Sequence, residues 1–323
     1  MPDAQELLDA LVIGGGPAGL TASLYLARFN RRFALVDGAA SRAAWIPATH
    51  NFPVFSDGIG GREMLDQQRA HLARYGVQPK LGIVTALHIE EPGFVATIET
   101  EGAPPFALRA RRVLLATGSV DQEPPIADLR AAMEQGLLRY CPVCDGYEAR
   151  GQRVAVIGEG SRGLGEAIFM ARTYSNDVTL LATGDRMRLS EQDQARLDEH
   201  GIKVVVEPVS TLVAGDGRIS AIHAAGAAEP AFDTIYSAFG LEIRSGLAVA
   251  LGAEHDENGA LIVDAHNQTT VSGLYAAGDV VRGLNQIVVA MGHAAAAATD
   301  IHNRCEIPTG DEPERRQHTP SIA

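Results

Sequence analysis

Cysteine is scarce in this chain, with three residues among 323. That number cannot staple a small secreted domain, so a disulfide framework is excluded as the source of stability. Positive charge is also short: 27 Lys and Arg stand against 40 Asp and Glu, a net −13, and there is one Trp. A broadly basic, aromatic nucleic-acid surface is therefore excluded. Long apolar runs are missing as well. The best candidate, Ile287 to Ala298, is interrupted by Gly292 and His293 and falls short of the ~20 residues that a membrane-spanning helix needs. The first ten residues, MPDAQELLDA, are acidic and lead at once into a strand-like LVIGGG, unlike the basic start of a signal peptide. The expectation is a cytoplasmic protein without a membrane or nucleic-acid partner. With 46% hydrophobic and 21% charged residues, the composition is that of a globular protein, and the length suggests two domains at ~150 residues each.

Two segments, Ala10 to Asn30 and Arg153 to Thr173, repeat one pattern: a short β-rich run, a glycine turn and a helix. Short β-branched runs at Val113–Leu115, Val178–Leu181 and Lys203–Val206 are each bounded by Gly, Pro or polar residues. Strands alternating with helices predict an α/β fold of two Rossmann-like dinucleotide-binding domains with parallel sheets. The stretches Ser119–Pro125 and Ser237–Ser245 bracket the second unit. This places an inserted domain at 118–241 and the enclosing domain at 1–117 and 242–323, with a flexible polar tail from 306.

The first turn reads Gly14-x-Gly16-x-x-Gly19 after the strand Leu11-Val12-Ile13. Its glycines serve a tight turn, close approach of a pyrophosphate and helix–strand packing, while the helix N-terminus offers unpaired N–H groups. Pro17 suits the first helical turn, and Ala18 lies beside it. Asp37 ends the next strand at the ~20-residue spacing expected of a ribose-binding acid. A different chemistry stands at Cys141-Pro142-Val143-Cys144-Asp145-Gly146. Two thiols at this spacing close a small ring, and an adjacent carboxyl can move a proton. That is apparatus for carrying two electrons to an external disulfide, with Cys141 and Cys144 as the dithiol and Asp145 as acid and base. Zinc would need two further ligands, and the remaining thiol, Cys305, lies far along the chain, so no metal is expected.

Leu114-Leu115-Ala116-Thr117-Gly118 and Gly273-Leu274-Tyr275-Ala276-Ala277-Gly278-Asp279-Val280 resemble two signatures of the two-dinucleotide-binding flavoproteins. That resemblance assigns FAD to the first glycine unit, with Ala116, Thr117, Gly118, Gly278 and Asp279 beside it. A following helix starting near Asn285-Gln286-Ile287 would point its positive end at the flavin. The order of all these motifs over roughly residues 10 to 303 resembles the low-molecular-weight thioredoxin reductases, and Asn51-Phe52-Pro53 resembles that family's segment next to the flavin. Membership implies a homodimer, non-covalent FAD, NADPH or NADH as donor, and a thioredoxin-like protein or small disulfide as partner. It also implies that Gly158, Gly160, Ser161, Arg162 and Gly163 of the second turn, with Arg188, hold the nicotinamide nucleotide.

The chain departs from this family pattern in three places. Ser41-Arg42-Ala43-Ala44 replaces the usual Gly-Gly-Gln-Leu, so the phosphate side of the flavin must be held differently. The second turn has Gly163 for the usual Ala and retains its acidic neighbour only at Glu166. After Val178–Leu181 come Ala182-Thr183-Gly184, where typical members carry His-Arg-Arg for the 2′-phosphate. Only Arg188 matches, and Arg186 is the other cation nearby. Neither nucleotide is then strongly selected, and either an NADPH-to-NADH ratio of kcat/KM within about tenfold of one or poor use of both is expected. Some flavoproteins of this shape are oxygen-dependent dithiol oxidases, and the run through Tyr147-Glu148 looks closer to those. An oxidase, or a reductase fed by another carrier, is therefore the alternative. His50 and His293 are further candidate proton donors.

Overall fold

The fold is described from a computed structural model for residues 7–123, 129–175, 177–183, 187–223 and 231–305. The expected tail from 306, together with Gly184 and Arg186, lies outside the described residues. The chain forms two compact units. One contains residues from 7–46, 61–120 and 242–305, the other 47–60 and 121–241. The chain crosses between them at 46/47, 60/61, 120/121 and 241/242, where the sequence leads one to expect crossings at 117/118 and 241/242 alone. Two short strands, β7 (Ser119–Asp121) and β14 (Leu241–Ile243), pair at the last two crossings.

The first unit is built on a seven-stranded sheet. Strand β1 (Leu7–Ile13) lies between and parallel to β2 (Phe33–Asp37) and β6 (Ala103–Leu115). Residues Ala10 to Ile13 are all buried, which is why this strand reads as a continuous apolar run rather than an alternation. Strand β3 (Lys80–Leu81) extends the sheet beyond β2. On the other side, β4 (Ile83–Glu90) and β5 (Gly93–Thr100) join the N-terminal part of β6 as an antiparallel meander. The C-terminal part of β6 pairs in parallel with β15 (Leu274–Ala276). One core gathers Leu11, Ile13, Phe94, Ile98, Val113, Leu115 and Leu274. Helices α1 (Pro17–Arg28) and α8 (Ile287–Asn303) pack together, and α2 (Gly61–Ala73) also packs on α1. The short α7 (Gly246–Val249) sits beside β4.

The second unit has a six-stranded sheet in the order β12-β11-β10-β9-β13-β8. These are β8 (Leu138–Arg139), β9 (Arg153–Ile157), β10 (Asp177–Thr183), β11 (Lys203–Gly215), β12 (Arg218–His223) and β13 (Thr234–Ser237). All neighbours are parallel except β11 and β12. Alternate residues of β9 feed opposite faces: Val154 and Val156 join Leu164, Ile168 and Leu180, while Ala155 and Ile157 join Leu181, Ile235 and Phe232. A period of two in a strand covered on both sides produces this division. Helices α3 (Leu129–Glu134), α4 (Pro142–Asp145), α5 (Gly160–Thr173) and α6 (Glu191–Glu199) complete the unit. Its Rossmann-type half is the predicted β9–turn–α5–β10 unit. Segment 47–60 belongs here because the Asn51 side chain donates to the Val143 carbonyl at 3.4 Å and His50 Nδ1 lies 3.3 Å from Glu148 Oε1. Among the described residues, no helix is long and apolar enough to cross a membrane.

Candidate active site

In the first unit the glycine turn joins the end of β1 to the N-terminus of α1. A Cβ on Gly19 would run into the Gly14 carbonyl oxygen, so the helix can pack on the turn only with glycine there. Around Gly16, the N-cap of α1, the one atom near such a Cβ is Ser41 Oγ at 3.2 Å. The backbone at that point faces open space and the helix N-terminus, which suits a pyrophosphate. Pro17 opens the helix, and Ala18 is buried beneath it. Asp37 closes β2. Its Oδ1 accepts from Gly15 N at 3.2 Å and Ala39 N at 2.9 Å, and Arg69 Nη2 lies 3.6 Å from Oδ2. A cavity of about 390 Å³ opens beside it, lined by Asp37, Ser41, Arg62, Leu65, Arg69 and Leu81 among others.

The two later signatures converge on the same unit. Ala116 N donates to Ile13 O at 2.8 Å, Thr117 Oγ1 donates to Arg244 O at 2.6 Å, and Gly118 O accepts from Arg244 N at 3.0 Å. Asp279 follows Gly278, whose Cα side faces Ala18 Cβ. The Asp279 carboxylate takes a bond from Ser119 Oγ and an ion pair from Arg42 Nη1, both at 3.4 Å. Helix α8 starts at Ile287 with Gln286 as N-cap, as the sequence predicts. Arg42 and Arg69 are the residues that sequence reasoning missed. Arg42, from the segment that replaces Gly-Gly-Gln-Leu, brings a cation to within 3.4 Å of the Asp279 carboxylate. The residues present fit a dinucleotide: an uncrowded turn at a helix N-terminus, an acid at the strand end and a cavity beside it.

The dithiol lies in the second unit, where Cys141 and Cys144 form a disulfide. Cys141 is the N-cap of α4, and its carbonyl accepts from Cys144 N at 2.9 Å and Asp145 N at 3.3 Å. Val143 and Tyr147 on this turn are 48% and 64% exposed, and the Arg150 guanidinium covers the Tyr147 ring at 4.8 Å. Asp145 is held by residues far from it in sequence or on the neighbouring strand. Tyr236 on β13 donates to Oδ1 at 2.9 Å, and Arg139 Nη1 on β8 lies 3.7 Å from Oδ2. Burial pushes the Asp145 acid up from the usual carboxylate range, against the lowering by Arg139 and the Tyr236 hydroxyl, with Glu148 adding to the rise. Burial and the charge of Asp145 raise the Tyr236 phenol, so it stays a proton donor.

Glu166 on α5 is a second half-buried carboxyl in this unit. Its Oε1 is buried without a hydrogen-bond partner. Burial, with Asp145 adding and Arg162 opposing, pushes its acid up to about 8. The linkage sign follows. Between an ordinary Glu pKa near 4.5 and about 8, the folded chain holds a proton that the unfolded chain has lost, so stability falls as pH rises through that window. Glu166→Gln removes this titration. Its stability relative to wild type is expected to improve from pH 5 to pH 8.5 by roughly 1–3 kcal/mol, after discounting for partial solvent access. Urea unfolding at the two pH values measures it, and a difference that does not change with pH would refute it.

The second glycine turn carries Gly158, Glu159, Gly160, Ser161, Arg162 and Gly163 from β9 into α5. Gly163 packs on it as Gly19 does in the first turn, with a Cβ there 2.8 Å from the Gly158 carbonyl carbon. Ser161, Arg162 and Arg188 are exposed. Asn51, expected beside the flavin, contacts the dithiol turn through Val143. His50 pairs with Glu148 next to the same turn. His293 lies on α8, where burial lowers its pKa and leaves Nδ1 without a hydrogen-bond partner. Cys305 is buried, with Arg112 Nη1 at 3.7 Å from its sulfur, and burial raises its thiol. A neutral buried thiol of this kind does not suit redox exchange.

The sequence pattern of the pyridine nucleotide-disulphide oxidoreductases matches residues 8–294. The chain belongs to that family. It is 30% identical over 307 residues to the thioredoxin reductase of Streptomyces coelicolor, covering 91% of this chain and 93% of the relative. The crystal structure of HlmI superposes with a TM-score of 0.82 at 31% identity, covering 92% of each chain. That of thioredoxin reductase from Streptococcus pyogenes gives 0.82 at 26% identity, covering 93% and 98%. The protein is thus a flavin- and pyridine-nucleotide-using disulfide oxidoreductase of the thioredoxin reductase type.

Proposed function

We propose that this enzyme uses FAD and a reduced nicotinamide nucleotide to reduce the disulfide of a thioredoxin-like protein through Cys141 and Cys144. The observation that carries the reading is the bridged Cys141–Cys144 pair followed by an Asp145 carboxyl held by Tyr236 and Arg139. FAD bound at the first glycine turn would supply the two-electron chemistry that links a reduced nicotinamide to the Cys141–Cys144 disulfide. Gly14 to Gly19 with the N-terminus of α1 would take its pyrophosphate, Asp37 its ribose, and Asp279 with Arg42 the region between ribityl chain and phosphates.

The reduced dithiol then works by exchange. One thiolate attacks the partner's disulfide, forming a mixed disulfide and releasing one partner sulfur as a thiolate. The other cysteine attacks the mixed disulfide, closes the Cys141–Cys144 bond again and releases the second partner sulfur. Two electrons pass from enzyme to partner, and each departing thiolate takes a proton. Asp145, with its acid raised by burial, supplies a proton and recovers it when a thiol is deprotonated. Tyr236 and Arg139 fix the direction of that carboxyl. A protein partner is favoured by the exposed Val143 and Tyr147 beside the dithiol, which offer apolar contact area, and by relatives named thioredoxin reductase. A homodimer is the proposed assembly, and light scattering at the monomer mass would count against it.

The test is anaerobic. NADH or NADPH added to the yellow oxidised protein should bleach the flavin within seconds, and a thioredoxin disulfide should restore the colour. Indifference to both nucleotides, with oxygen consumed in proportion to an added dithiol, would replace this reading with the oxidase alternative.

A further inference from the structure

We propose that Glu159 is a specificity residue that makes the enzyme prefer NADH, by placing a carboxylate where the 2′-phosphate of NADPH would otherwise lie. The inference deepens the nucleotide use proposed above and rests on it. In a doubly wound dinucleotide domain, the adenosine ribose reaches the end of the second strand, where an acid accepts from a free 2′-hydroxyl or a cation grips a 2′-phosphate. That strand is β10, and its last residue, Thr183, is neither acid nor cation. The Thr183 side chain is 1% exposed, and its hydroxyl donates to Glu159 Oε1 at 3.3 Å. Glu159 is the residue between the first two glycines of the turn. The fold therefore returns an acid to the strand end from another segment.

Three observations separate this from an ordinary helix-capping acid. Glu159 is the N-cap of α5, yet its side chain makes no capping hydrogen bond. It is exposed, so one carboxylate oxygen is anchored on Thr183 while the group stays open to a ligand. The nearest turn cation, Arg162, lies elsewhere: its guanidinium lies against Gly240, just beyond the end of β13. In the sheet order, β13 and β10 flank β9 on opposite sides, so the acid stands toward the ribose end and the arginine away from it. A carboxylate at this place accepts from two vicinal hydroxyls and repels a dianionic phosphate.

The sequence alone predicts a ratio near one because it shows no acid at the strand terminus; the geometry changes that expectation. Calorimetry on the flavin-loaded enzyme with ADP-ribose and 2′-phospho-ADP-ribose as probes should give at least tenfold tighter binding of the unphosphorylated compound. Glu159→Gln, an exposed change, should narrow that gap about tenfold, mainly by tightening the phosphorylated probe. Thr183→Val, which frees the carboxylate, should narrow it partly. The kcat/KM ratio for NADH over NADPH should move the same way. Equal or tighter binding of the phosphorylated probe by wild type, no binding of either probe, or an unchanged ratio in Glu159→Gln would overturn the proposal. The two readings fail separately. Flavin bleached best by NADPH removes this inference and keeps the reductase, whereas preferred ADP-ribose binding without bleaching by either nucleotide does the reverse.

Discussion

Cys141→Ser and Cys144→Ser are each expected to lower disulfide turnover by on the order of 10³ or more while leaving the protein yellow. The magnitude follows from removing a nucleophile that nothing else replaces: a hydroxyl at ordinary pH is neither ionised nor able to form a disulfide. The second part follows from the division of the chain. The bridged pair lies in the unit of residues 121–241, while Gly14 to Gly19, Asp37 and Asp279 lie in the other. Neither side chain contributes to the flavin-type turn, and both sit on a short surface turn rather than in either core. Visible absorbance of the purified variants reports retained flavin, and steady-state reduction of a thioredoxin disulfide reports turnover. The single variants differ usefully: each keeps one thiol able to form a mixed disulfide with the partner but unable to resolve it, so a trapped covalent adduct is expected from the one that normally attacks. Full turnover in the double serine variant would sink the dithiol mechanism, and loss of colour would show that the two units are not functionally separable.

What the sequence discloses about this site is set by how local its chemistry is. The turn at Gly14 to Gly19 is legible because the strand end, the glycines and the helix start are consecutive, and the same holds for Cys141 to Asp145. Asp37 is legible because a βαβ unit fixes its distance from the turn. The partners of these groups are not. Tyr236 reaches Asp145 because β13 lies beside β8 and β9 in a parallel sheet, a neighbour relation that no spacing encodes. Arg42 meets Asp279 across most of the chain length. Glu159 reads as a turn residue until β10 brings Thr183 to it. Strand β4 also escaped notice, because its buried residues Val84 and Leu87 stand three apart across a register shift and show no period of two. The bond from the Asn51 side chain to the dithiol turn is likewise a contact that no spacing in the sequence encodes.

Asp145→Asn is expected to slow disulfide turnover by about 10²–10⁴, the usual loss when a positioned acid–base group is removed. The substitution isolates the proton. An asparagine oxygen can still accept from the Tyr236 hydroxyl, and the side chain keeps its size, so the turn that carries Cys144 has no steric reason to move. What disappears is a carboxyl whose acid is raised by burial and which is therefore protonated at a higher pH than an exposed aspartate. In wild type, the step that protonates the departing thiolate should weaken as pH rises through that raised pKa, because donation needs the protonated form. The asparagine variant should lack this alkaline decline and run at a low rate that follows thiolate formation alone. Bleaching of the flavin by the nucleotide does not require this proton donor and should stay within about threefold of wild type, which separates a lost acid from a damaged fold. A second readout comes from Glu166, whose acid is held up in part by the charge of Asp145. With that charge gone, the stability decline assigned to Glu166 should move to lower pH, a shift that urea unfolding across pH 5 to 9 would register. Turnover within threefold of wild type together with an unshifted stability profile would show that Asp145 neither moves the proton nor shares its field with Glu166.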